Sequence, residues 1–170
     1  MKKSGRTLKA RLYGLKYLSS RLKRARHFRG HGVHSPYIYN IVRKVFMQSK
    51  LVADARDLYD ALVARGIVLR RCVQLQNLVE HCGYKSWGID AQVECDILVC
   101  TLSTTYAHLQ EYVEYAREHK LTLCIMDPYN NANRWEVCRT IVEQHRSTTV
   151  DNRAYLLVFN NHLPKQVFVL

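Results

Sequence analysis

Asp96-Ile97-Leu98-Val99-Cys100 and Leu121-Thr122-Leu123-Cys124-Ile125-Met126, the latter running into Asp127-Pro128-Tyr129-Asn130, set the class of this protein. Both runs are apolar almost without interruption, the pattern of a strand covered on both faces, as in the middle of a parallel sheet. Between them Thr104 or Thr105 stands where a helix N-cap belongs. Tyr106, Leu109, Val113 and Ala116 then line one side, while Glu111, Glu114, Arg117 and Glu118 face water. Pro128 presets a turn, and Asp127 or Asn131 is placed to cap the next helix, predicted over 135–145. Residues 154–159 and 166–169 are expected to close the chain as a hairpin. Strand, helix, strand, helix and two more strands predict an α/β domain with a mostly parallel sheet and an antiparallel C-terminal hairpin.

Upstream the signals are weaker. Residues 67–73 are β-branched enough for a strand, 75–81 look helical with Gly83 as the stop, and 85–90 suit a short second strand. Helices are predicted over 53–64 and 36–48. The second has Ser35 as N-cap, Pro36 at its first position and a stripe of Ile38, Ile41, Val42, Val45 and Phe46.

The charge is unevenly placed. Of 26 Lys and Arg, fourteen fall within residues 1–50, which hold no Asp or Glu; the other twelve face all fourteen acidic residues in 51–170. The chain thus divides into a basic helical arm, 1–50, and a nearly neutral domain, 51–170. Within the arm Leu8, Leu12, Leu15, Leu18 and Leu22 recur at helical spacing among Arg11, Lys16, Arg21, Lys23 and Arg24, giving a basic amphipathic helix about 30 Å long. Two uses suit it: lying on RNA or an anionic membrane surface through residues 1–30, or docking its leucines on its own domain or a second copy. His27, His31 and His34 have no Cys or carboxylate close in sequence, and their spacing spans a turn, so packing and capping roles are expected rather than a metal site. Six scattered cysteines without a C-x-x-C pair suit a reducing compartment. With no secretory signal and no run of about 20 apolar residues, a cytoplasmic location is the expectation.

The H-G-V-H-S-P-Y string at residues 31–37, the D-I-L-V strand, the D-P-Y turn and the closing Leu163-Pro164-Lys165-Gln166-Val167-Phe168-Val169-Leu170 together resemble class I S-adenosylmethionine-dependent methyltransferase-like proteins. The likeness covers residues 31–48 and 95–170 and implies a Rossmann-like sheet. It also implies roles. Asp90, which reads equally as a surface turn residue, is the candidate for bonding a cofactor ribose, Thr101 and Ser103 stand at a strand's carboxyl end where ligands sit or helices are capped, and Asp127 and Tyr129 would lie near an acceptor. One feature of the family is missing from the residues. Its first strand ends in a glycine loop that lets the backbone approach the cofactor, yet there is no glycine between Gly66 and Gly83, and the candidate loop reads Val73-Gln74-Leu75-Gln76-Asn77. The interval before Asp96 is also short by about one strand-helix unit.

The expectation is therefore a truncated, degenerate member that binds no S-adenosylmethionine and persists as a binding or scaffold module. The alternatives are an active methyltransferase with an atypical loop and a basic protein of RNA or membrane surfaces. A missing unit would leave a sheet edge open, which suits a homodimer.

Overall fold

The computed structural model describes residues 33–52, 54–160 and 163–170. The amphipathic helix expected over 7–26, with His27 and His31, lies outside them. Ser35 caps the first described helix, α1 (Pro36–Ile41), its Oγ accepting from the Ile38 amide, and Pro36 occupies the first turn. The helix then widens into a π-helical turn, Val42–Phe46. α2 spans Asp57–Ala64 and α3 spans Leu69–Cys82, ended by Gly83 in the left-handed conformation that a residue lacking Cβ adopts freely. β1 (Trp87–Ile89), β2 (Ile97–Cys100), α4 (Tyr106–Glu118), β3 (Thr122–Met126), α5 (Ala132–Gln144), β4 (Thr149–Asp151), β5 (Tyr155–Phe159) and β6 (Val167–Val169) complete the order.

The six strands form one sheet ordered β1-β2-β3-β5-β4-β6, with only β5 running against the rest. Alternate residues of the continuous apolar strands serve opposite layers. Ile97, Val99, Cys124 and Met126 pack with α1, the π turn, α2 and α3; Leu98, Cys100, Leu123 and Ile125 pack with α4 and α5. The mostly parallel α/β architecture read from 96–126 is therefore the observed one. Ile38, Ile41, Val42, Val45 and Phe46 belong to the first of these layers, so packing runs across residue 50.

Two expectations are corrected. Residues 67–73 form no strand: Leu69 begins α3, whose residues from Cys72 to Val79 are all buried. Ile67 and Val68 only lead into the helix, Val68 as its N-cap residue, and the helical period starting at Leu69 was masked by these β-branched residues and by the all-round burial that begins at Cys72. The C-terminal hairpin also has different members. β5 pairs with β4, which the sequence did not reveal, and β6 lies parallel to β4 on its far side.

The link from β1 to β2 is unusual. Parallel neighbours ordinarily need a crossover of about a dozen residues, usually a helix, yet residues 90–96, seven in all, make this connection with none. Gly88 makes it feasible, because a Cβ there would stand 2.6 Å from Val93 Cγ2 and 3.3 Å from Leu98 Cδ1. The loop thus lies directly on the sheet. Asp96 closes it, its Oδ2 accepting from the amides of Lys85 and Ser86 at 2.6 and 2.9 Å.

Candidate functional site

In an open α/β sheet, ligands gather at the carboxyl ends of the strands. Here those ends bring together Asp90 after β1, Thr101 after β2, Asp127 after β3 and Asp151 at the end of β4. Asp90, Asp127 and, just beyond β4, Arg153 have φ of 54°, 48° and 69°, a conformation that Asp tolerates better than most residues. This edge is where the sequence placed its candidates.

Asp90 is used up by its neighbours. Its Oδ1 accepts from the Thr101 amide at 2.7 Å and from the Thr104 hydroxyl, and its Oδ2 accepts from the Thr101 hydroxyl at 2.6 Å. Tyr112, on α4, donates to the Asp90 carbonyl at 2.9 Å. The strand end, the loop and α4 are thereby tied into one knot. Thr101 is 4% exposed and serves this knot, whereas Ser103 is exposed and contributes its amide to the Thr101 hydroxyl.

Asp127 is also engaged. Both of its oxygens lie 2.7 Å from Arg71 Nη1, which reaches over from α3. Tyr129, 5% exposed, stacks on Trp135 with ring centroids 4.5 Å apart and donates its hydroxyl to Asp151. The turn reading of 127–130 holds, with Asn131 rather than Asp127 capping the next helix through the Arg134 amide.

Arg134 completes the edge and was missed from the sequence. It is 2% exposed, and its guanidinium donates to four main-chain carbonyls, those of Met126, Thr104, Cys100 and Thr101. A buried cation dispersed over carbonyl dipoles replaces the water that strand ends would otherwise require. Arg71, 56 residues from Asp127 in sequence, carries no local signal either. Asp151 had only the following Asn152-Arg153 to mark a turn.

The segment 73–77, proposed as the cofactor loop, is instead the middle of α3. Its polar residues fasten the N-terminal elements: Gln74 donates to the Phe46 carbonyl at 2.7 Å, Gln76 accepts from the Tyr59 amide at 2.9 Å, and Asn77 spans the Val52 amide and Lys50 carbonyl, both at 2.9 Å. Each neutral bond of this kind stabilises by about 1 kcal/mol, and leaving such a group buried without a partner costs more.

All six cysteines are free thiols. Burial raises every one of them, Cys72 to about 11 and Cys138 to about 12, which suppresses the reactive thiolate. Among the described residues no group of three or more His, Cys, Asp or Glu is placed to hold a metal ion, and no helix is long and apolar enough to cross a membrane. No family model, curated protein or solved structure matches the chain.

Proposed function

We propose that this chain is a shortened methyltransferase-like α/β domain that acts as a binding or scaffold module and transfers no methyl group. Methyl transfer depends mainly on holding a sulfonium cofactor in line with its acceptor, so a domain without the cradle has no catalyst. The observation that carries this reading is the seven-residue link after β1. Where a strand would hand the chain to a helix N-terminus that receives the cofactor, Asp90 turns back at once toward β2 and spends its carboxylate on Thr101 and Thr104. The polar side chains of 73–77 are committed to main-chain groups in the same way.

Isothermal titration of the full chain with S-adenosylmethionine and S-adenosylhomocysteine tests the reading. No saturable heat is expected; binding at micromolar affinity overturns it.

The strained backbone at Asp90 and Asp127 favours a second reading, because such conformations gather at functional edges. In an active methyltransferase with an atypical loop, Asp90 would hold the ribose, with Asp127 or Tyr129 near the acceptor. Asp90→Ala would then abolish cofactor binding while a cooperative melt persists, and unchanged affinity removes this alternative.

As a module, the chain would make its contacts through residues 1–30, with eleven Lys and Arg and no acid. Binding to RNA or to anionic vesicles would fall steeply with salt and vanish when residues 1–30 are deleted.

A further inference from the structure

We propose that a cleft at the amino-terminal edge of the sheet binds a small phosphorylated compound that also carries hydroxyl groups. The cleft encloses about 540 Å³, room for a sugar phosphate, and lies at the opposite end of the strands from the Asp90 and Asp127 cluster. Arg117 comes from the last turn of α4, Lys120 from the turn before β3, His145 and Arg146 from the chain after α5, and Asn160 from the end of β5.

Three cations therefore line one cleft, and its described lining includes no carboxylate. Arg117 is shared with Glu114 on its own helix, while Lys120 and Arg146 are exposed and in no ion pair among the described residues. Cations at the ends of α4 and α5 also offset the carbonyl ends of those helices, and that role alone would account for their sign.

It does not account for the floor of the cleft. Asn160 is 6% exposed and both polar atoms of its amide lack a hydrogen-bond partner; His145 is 7% exposed and its Nε2 lacks one too. Buried polar groups are almost always paired, so two exceptions in residues lining one cationic cleft, both closed to solvent as the side chains stand, mark groups a ligand would meet once the Asn160 amide turns outward. The set of unmet needs is specific. The three cations and Asn160 Nδ2 suit anionic oxygens, whereas Asn160 Oδ1 requires a donor, which a bare phosphate ester lacks and a hydroxyl provides. Burial, with the charges of Arg117 and Lys165 acting in the same direction, lowers the pKa of His145 and leaves its ring neutral at neutral pH, against weaker opposition from the Phe159 backbone and Glu114.

The test uses isotope-labelled full-length chain titrated with inorganic phosphate, glycerol 3-phosphate and glycerol while the Asn160 side-chain amide is followed by NMR. Saturable shifts of that amide are expected with both phosphates, with glycerol 3-phosphate bound about fivefold more tightly than inorganic phosphate and glycerol alone not bound. The double variant Lys120→Asn and Arg146→Gln changes two exposed side chains, with Asn suited to the φ of 56° at position 120. It should melt as the parent does and lose about tenfold in affinity. An Asn160 amide that neither phosphate moves, or an affinity unchanged in the double variant, overturns the site and leaves any phosphate binding to the basic arm. Equal affinity for the two phosphates overturns the hydroxyl requirement.

Discussion

At the carboxyl edge of the sheet Asp90, Asp127 and Asp151 all hold internal donors, and Arg134 distributes its charge over four carbonyls. At the amino edge His145 Nε2, Thr149 Oγ1 and both amide atoms of Asn160 have no partner, and these are all the unpartnered buried side-chain polar atoms among the described residues. The same sheet thus ends in a polar cluster that satisfies itself and in one that does not. Self-satisfied networks rigidify a fold, whereas unmet groups cost stability and persist where a ligand meets them. The edge favoured by the general rule for α/β sheets is the closed one, and the edge outside the rule is the one left open.

Substitutions at the two edges should accordingly differ in sign. The largest loss is expected for Arg134→Met, which keeps the apolar volume but removes the guanidinium shared by the Met126, Cys100, Thr101 and Thr104 carbonyls; urea denaturation should show about 3–5 kcal/mol. A loss below about 1 kcal/mol would mean that water reaches that edge freely and that it is not closed.

Asp127→Asn preserves shape and tolerates the φ of 48°, so it isolates the charge. It should cost about 2–4 kcal/mol by stranding Arg71, whose side chain is only 16% exposed, and Arg71→Met in the same chain should recover part of that loss. A double-mutant cycle with no coupling would break the pairing.

Asn160→Leu, at the other edge, should instead raise stability by about 1 kcal/mol, because it removes two unpaired polar atoms at similar volume. The same change should abolish binding of glycerol 3-phosphate, so that a thermal melt and a titration move in opposite directions.

The smallest effect is in the pH dependence. Burial lowers the pKa of His145 and of His81 beneath the ordinary 6.5, so below that pH the unfolded chain binds more protons than the folded one. Stability should fall on acidification from pH 7 toward 5, by at most about 1.4 kcal/mol per pH unit for each group. His145→Gln should flatten part of that slope, and an unaltered slope would show that His145 titrates as a solvated ring.

The elements legible in the sequence were those whose signal is local. Ser35-Pro36 fixes a helix start within four residues, Gly83 fixes a stop, and the unbroken apolar runs of β2 and β3 reveal a sheet covered on both faces. The illegible parts depend on distant partners. The middle of α3, from Cys72 to Val79, is helical because the sheet and the N-terminal elements bury every side of it, and β4 is three residues whose place is fixed by β5 and β6. At the candidate site the acidic residues could be named, but not their commitments. Asp127 meets an arginine 56 positions away, and Arg134 looks like any surface cation of an amphipathic helix until four carbonyls converge on it.

The brief return from β1 to β2 also limits how copies of this protein can join. The strand stops at Ile89 because Asp90, with φ of 54°, turns the chain back and ties its carboxylate to Thr101 and Thr104. The outermost strand is thereby kept to three residues. A rim that short offers a second chain only a few main-chain bonds, so assembly by strand addition is resisted at this edge.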